Sequence, residues 1–321
     1  MPNGAFKHPD SLVHTAQLTP RLGQPADVAV THEGCGRCSV RSRRLVAMTV
    51  RPRMSFLTDP EYAAAGRRYC AEDIYLAGRL GDDFAVASTH PDHATDLMEH
   101  FDIVVVRNTG PVTRHQESYD RYRARASGLG IPVFTELSGR ADQAGKQYLV
   151  DLWAQGYPVM ATVDSVSDLE KLPEVETYVV KPKFGADSVG MRFVSRAEVG
   201  DLGGGEWLIQ PKVDFEYEVS FYFVDHDFQY ALYAPSTAHR WELEPYEPSD
   251  TDLAFSQRIV DWNTIEHGIQ RVDACRAVDG TLQLVELEDL NPYLSLDRVT
   301  LEARNGLVDA VIRSVRGMLG L

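Results

Sequence analysis

The run Ile103, Val104, Val105, Val106 constrains the fold more than any other stretch. Four consecutive β-branched apolar residues suit a strand covered on both faces, the situation of a central strand in a parallel sheet. Such a strand needs crossover helices, and its surroundings supply them. Residues 60–80, with Tyr62, Ala65, Tyr69, Leu76 and Leu80 near one face, read as a helix, as do residues 91–100 and 118–129. Residues 45–50, 84–87, 102–106 and 131–135 read as strands. The alternation predicts an open α/β domain from about residue 43 to 137, with ligands approaching at the carboxyl ends of its strands. The loop after the IVVV run leaves such an end, which makes Arg107, Asn108 and Arg114 candidates for binding a substrate carboxylate. The competing reading is a helix-entry loop.

Beyond residue 138 the texture changes. A helix is expected at 141–155 and short strands at 159–162 and 178–181. After a glycine-containing loop come strands around Phe193 and at 207–210, 218–224, 229–233, 270–276 and 282–288, then a helix at 301–318. This half is α+β, so the whole chain combines α/β and α+β parts. At 321 residues two or three domains are expected, preceded by an extension over residues 1–42 that lacks sustained periodicity. Trp153 and Trp262 sit among periodic apolar residues and read as core.

Charge and composition exclude several function classes. Against 32 Lys and Arg stand 47 Asp and Glu, and a net charge of -15 repels nucleic-acid phosphates. No apolar run has the length of a membrane span, and the N-terminus lacks the basic start and apolar core of a secretory signal, so a cytoplasmic protein is expected. Four cysteines are too few for a disulfide scaffold. His32, Cys35 and Cys38 fall one ligand short of a structural zinc site, leaving a redox-sensitive pair or an inert tail as the other readings. His90 and His93 read as helix-start residues.

Two stretches carry chemistry. In TYVVKPKFGADSVGMRFV a strand delivers Lys181 and Lys183 beside a loop with Gly185, Ser188 and Gly190. Small residues let backbone amides approach an anion and a lysine adds the compensating charge, so this is a phosphate cradle or else a surface hairpin whose turn needs glycine. The stretch GRADQAGKQ misses the P-loop spacing by one residue and has Gln147 where magnesium needs a hydroxyl. In QRVDACRAVDGTLQLVELEDLNP, Glu286 and Glu288 alternate on one strand face, and a hairpin through Asp279 and Gly280 brings Asp273 alongside. Three carboxylates converging on an apolar sheet call for a hard divalent cation, magnesium above all; the alternative is a solvated strand face.

In this order and spacing, GKQYLVDLWAQGYPVMAT, YVVKPKFGADSVGM, WLIQPKVDFEYEVSFYFVD and LVELEDLNPYLSL resemble the ATP-grasp superfamily over roughly residues 43–321. The likeness is to its glutathione-synthetase-like branch, and there to the O-ureido-serine cyclo-ligase type of cycloserine biosynthesis. The resemblance implies an ATP-grasp fold with an N-terminal domain at 43–137, a small subdomain at 138–204 and a C-terminal subdomain at 205–321. It implies ATP and magnesium, two ions, as cofactors and an ATP-dependent ligase joining a carboxylate to an amine through an acyl phosphate. Lys146 and Lys181 would grip phosphates, the 185–190 loop would cover them, Gln210, Pro211 and Lys212 would form the adenine-binding hinge, and Glu218 would meet the ribose. Asp273, Glu286 and Glu288 would hold the metal. Tyr233 stands where relatives tend to have a basic residue, leaving Arg240 and Arg271 as candidates for contacting the acyl phosphate. Glu288 takes the place of the asparagine of glutathione synthetases, which suits the cyclo-ligase type. Small amino-acid-like substrates and a homo-oligomer are also expected from the family. A protein of this fold that binds ATP without ligating is the rival expectation.

Overall fold

In a computed structural model of the chain, residues 50–62, 69–185, 189–202, 206–236 and 242–321 are described. The expected N-terminal extension, including Cys35 and Cys38, lies outside them. So does the expected strand at 45–50 except for Val50, which is exposed and lies outside any strand. The first described strand is instead β1 (Arg53–Leu57), whose Met54 and Phe56 are fully buried. It is followed by α1 (Tyr69–Leu80), β2 (Ala85–Thr89), α2 (Pro91–Leu97), β3 (Ile103–Val106), α3 (Gln116–Leu129) and β4 (Val133–Phe134). These strands form one parallel sheet in the order β2-β1-β3-β4. The IVVV run is β3, buried at all four positions, as its composition requires.

The period of the strands sorts the core into two faces. Met54, Phe56, Ile103, Val105 and Phe134 pack with Leu76 and Leu80 of α1, whereas Leu57, Val104, Val106 and Val133 pack with Ala94 and Met98 and with Tyr122 and Ala126 of α3 on the other face. The first face also receives Leu307, Val308, Val311 and Val315, residues of the last helix of the chain.

The second half begins with α4 (Tyr148–Ala154), β5 (Tyr178–Pro182), β6 (Arg192–Val194), α5 (Arg196–Gly200) and β7 (Trp207–Pro211), which give a three-stranded antiparallel sheet in the order β6-β5-β7. Then come β8 (Phe215–Val224), β9 (Asp227–Ala234), β10 (Glu244–Tyr246), α6 (Asp250–Trp262), β11 (Ile269–Ala277), β12 (Leu282–Glu288) and α7 (Leu301–Met318). The second antiparallel sheet runs β10-β9-β8-β11-β12. Residues 159–163 make only isolated bridges, Val159 to Leu284 of β12 and Val163 to Ile209 of β7, and so tie the two antiparallel sheets together.

The expected helix at 141–155 is interrupted. A 3-10 turn, Asp142–Ala144, ends at Gly145 with φ +85°, a conformation favoured only by glycine, before α4 starts at Tyr148. Helix α6 was not anticipated, although Ser249 and Asp252 form a reciprocal capping box at its start. Trp153 and Trp262 are half-buried against the core of this half rather than enclosed by it. Among the described residues no helix is long and apolar enough to cross a membrane.

Candidate active site

The hairpin from β11 to β12 turns at Gly280, φ +84°, where Asp279 accepts the amide of Thr281 at 3.0 Å. Its register sets Arg271 opposite Glu288 and Asp273 opposite Glu286, with a bulge after Asp273. The three carboxylates expected to converge therefore do share one wall, and all three line a cavity of about 870 Å³. What the sequence did not foretell is that cations stand among them. Arg271 donates from Nε to Asp273 Oδ1 at 2.9 Å and from Nη2 to Asp273 Oδ2 at 2.7 Å and Glu288 Oε1 at 2.5 Å. Its Nη1 reaches the Tyr293 carbonyl at 3.0 Å. Lys146 Nζ donates to Glu286 and lies 3.7 Å from Asp142. Among the described residues, no group of three acidic, histidine or cysteine side chains is poised as placed to hold a metal. Their charges are instead partnered within the wall by Arg271 and Lys146.

The electrostatics follow from burial. Burial penalises the charge of Arg271, yet Asp273 and Glu288 outweigh that penalty and hold its pKa well above the ordinary value. Lys181 is paired to no carboxylate among the described residues: burial, aided by the neighbouring Lys146 and opposed by Asp142, pushes its ammonium down to about 7. Lys183 is paired to Asp164 at 2.8 Å. The backbone carries Lys146 into place, because its amide donates to the Lys183 carbonyl at 2.9 Å and a Cβ on Gly145 would stand 2.8 Å from the Phe184 ring. Behind this wall Asp289, fully buried, accepts the amides of Ala141 at 2.9 Å and Gln143 at 3.0 Å and the side chain of Asn263 at 3.2 Å. Burial, with Asp142 adding to it, pushes Asp289 up to about 7. It clips the segment before Lys146 to the end of β12.

The other expected site residues divide clearly. Lys146, Lys183, Gly185, Glu218 and Arg271 line the cavity with the three carboxylates. Lys181, Gln210, Pro211, Lys212 and Gly190 are not among the lining residues. Gln210 is buried with its amide on Thr162 Oγ1 at 2.7 Å, Pro211 is paired with Tyr178 across β5, and the Lys212 amide is spent on the Thr177 carbonyl at 2.9 Å. Ser188 and Arg240 lie outside the described residues. Arg107 and Asn108 are not brought to the cavity. Arg107 is 1% exposed, with Nε on Asp73 at 3.1 Å and Nη2 on the Pro292 carbonyl at 3.2 Å, and Asn108 donates to the Asp59 carbonyl at 2.8 Å. Arg107 is thus held inside the fold by Asp73 and the Pro292 carbonyl, with its Nη1 buried and unpartnered, and is not among the residues that line the cavity. Arg114 is exposed at the end of a 3-10 turn whose Val112 lines the cavity, but is not itself a lining residue.

The cavity also has walls that sequence reasoning overlooked: Asp142, Glu72 and Tyr75 of α1, Tyr293, and Arg304. A signal existed for two of them, since Tyr69, Glu72 and Tyr75 recur every three residues along one helix face.

No protein-family model matches this sequence, and no curated protein sequence does. Solved structures do match. D-cycloserine synthetase DcsG is similar at a TM-score of 0.62 with 19% identity, over 81% of this chain and 99% of that one. D-alanine–D-alanine ligase from Bacillus anthracis, complexed with ATP, matches at 0.58 with 15% identity over 84% and 99%. The ATP-grasp ligase PsnB, complexed with a minimal precursor, Mg and ADP, matches at 0.57 with 15% identity over 82% and 98%. The chain has the ATP-grasp fold. The ATP-grasp arrangement expected from the four sequence phrases is thus present as architecture, with the carboxylate hairpin in its second antiparallel sheet.

Proposed function

We propose that this chain is an ATP-dependent ligase that joins a carboxylate to an amine on small amino-acid-like substrates. The observation that carries the reading is the wall of Asp273, Glu286 and Glu288 facing a cavity together with Lys146 and Arg271. A carboxylate set of hard oxygen donors fits magnesium chemically, and the two cations now resting on those oxygens are the groups that phosphates would draw away. On this reading Asp273, Glu286 and Glu288 hold the magnesium, two ions being the expectation. When bound, magnesium supplies charge neutralisation on phosphoryl oxygens. Lys146, Lys181 and Lys183 bind and orient the ATP phosphates, Gln210 to Lys212 bound the adenine side, and Glu218 meets the ribose. A substrate carboxylate oxygen bonds to the γ-phosphorus as ADP leaves. The amine then attacks the acyl carbon, inorganic phosphate departs and the amine proton is lost to solvent. Arg271 is the cation positioned to neutralise the acyl phosphate, with Arg240 the second candidate for that contact.

Positioning and electrostatics suffice for such chemistry, and no covalent enzyme nucleophile is needed. The neighbours act on different substrates by their own descriptions: PsnB and MdnC structures contain precursor peptides, whereas DcsG is a D-cycloserine synthetase. We place this chain with small substrates and in the cytoplasm, where ATP is supplied. The test is ADP release from ATP and magnesium with panels of amino acids and amines. Release above background that needs both partners supports the ligase. Nucleotide binding with no stimulated release by any pair supports the rival, non-ligating protein.

A further inference from the structure

The cavity continues past its carboxylate wall into an aromatic end. Tyr69, Glu72 and Tyr75 occupy one face of α1 and all line it. Tyr293 packs on Tyr69 with ring centroids 4.9 Å apart, and Tyr62 meets Tyr69 edge-on at 5.8 Å, so the rings make one continuous wall. Two guanidiniums accompany it. Arg304, in α7, holds its Cζ 5.8 Å from the Tyr75 ring centroid, and Arg298 precedes the same helix.

These arginines differ from the others of the interior. Arg107, Arg271 and Arg276 are each spent on a carboxylate within 3.1 Å. Arg304 makes a single long bond to the Val299 carbonyl at 3.4 Å, its Nε is buried without a partner, and no described carboxylate pairs with it. Arg298, 46% exposed at its side chain, is paired among the described residues with its sequence neighbour Asp297, which also lines the cavity, at 3.4 Å. In a chain with 47 acidic residues against 32 basic ones, a cavity-lining arginine that no carboxylate claims is available for a ligand's. Glu72 does not oppose an anion there. Its two oxygens accept the amides of Leu294 at 2.9 Å and Leu296 at 3.0 Å, and Arg107 stands 3.9 Å away. The seam is also fixed: Asn305, next to Arg304, accepts from Arg79 at 2.6 Å.

Resting on the ligase reading, we propose that this end is the acceptor subsite. It takes a small molecule whose free carboxylate is held by Arg304, assisted by Arg298, and whose flat or apolar body lies against Tyr69, Tyr75 and Tyr293. The volume allows it, since about 870 Å³ lies near the top of the usual range of roughly 300–1,000 Å³ for ligand pockets, enough for a nucleotide and a second ligand.

Titration calorimetry tests this with D- and L-phenylalanine and phenylpropionate, each against its carboxamide, with and without a non-hydrolysable ATP analogue. The carboxylates should bind at least ~10-fold more tightly than the amides, the loss of a charge-assisted hydrogen bond being on the order of 10- to 100-fold. Arg304→Gln should erase that preference, Arg304→Lys should restore part of it, and both should bind ATP as the parent does. Equal binding of acids and amides by the parent, or binding of neither, overturns the proposal without any variant. So does a preference that survives Arg304→Gln. A parent that prefers the acids but binds no ATP keeps the subsite and removes the ligase reading; ATP binding without acid preference does the reverse.

Discussion

Raising the pH from 7 to 9 should weaken ATP binding by about fiftyfold, through Lys181. Burial first, and Lys146 second, push its ammonium down to about 7 from an ordinary 10.5, against the pull of Asp142. A phosphate oxygen beside Lys181 favours the charged form and returns the pKa toward its ordinary value. At pH 7 each ATP bound takes up about half a proton and further up close to one, so affinity falls less than tenfold over the first unit and about tenfold over the next, about 2.3 kcal/mol over the two units. Calorimetry in two buffers of different ionisation enthalpy reads both the affinity and the proton uptake. Lys181→Arg keeps the charge at every pH and should flatten the profile, while Lys146→Met removes a neighbouring positive charge and should move the onset to higher pH. The free protein gives the opposite trend. Its unfolded chain binds the extra proton between about 7 and 10.5, so the Lys181 contribution to stability grows as pH rises through that window. Flat ATP affinity from pH 7 to 9 in the parent, or an unchanged slope in Lys181→Arg, would refute the reasoning.

Gly145→Ala forces a side chain into φ +85° with its Cβ 2.8 Å from the Phe184 ring, and should cost about 1–3 kcal/mol in thermal unfolding while weakening ATP binding by displacing Lys146. Asp289 and Glu72 are both pushed up to about 7, chiefly by burial, so the stability they lend is full below about pH 4 and is lost as pH climbs to about 7. Denaturant titrations should show that fall, and Asp289→Asn should flatten part of it; stability rising over that range would contradict it. Glu288→Gln removes one proposed magnesium ligand and should lower substrate-stimulated ADP release by about 100-fold or more with ATP present in excess.

Much of the architecture was legible because it rests on local periodicity. The IVVV run reads as a central strand and is one, and the alternation of LVELE with its Asp-Gly turn put Glu286 and Glu288 on one face with Asp273 alongside, the pairing of Asp273 with Glu286 being set by the observed register. Helix α7 falls where its spacing predicts. The failures share a cause in contacts between distant residues. Arg107 looked like a ligand-binding residue at a strand end, but its carboxylate partner Asp73 lies 34 residues away. Gly145 looked like part of a helix until Phe184 and the Lys183 carbonyl, brought beside it by β5, required a glycine conformation. Arg271 was visible as a cation two residues from Asp273, yet only the register opposite Glu288 reveals that it bridges two of the three carboxylates. Asp289, one residue past β12, carried no local signal, because the buried amides it accepts, those of Ala141 and Gln143, lie 148 and 146 residues away in the chain.

The central claim, that a substrate carboxylate is activated by the γ-phosphate of ATP, is tested most directly with a carboxylate substrate labelled in both oxygens with oxygen-18. The account predicts ADP as the nucleotide product and one labelled oxygen in each inorganic phosphate released, because the bond between acyl carbon and bridging oxygen breaks when the amine attacks. Unlabelled phosphate, or AMP and pyrophosphate as products, would contradict it.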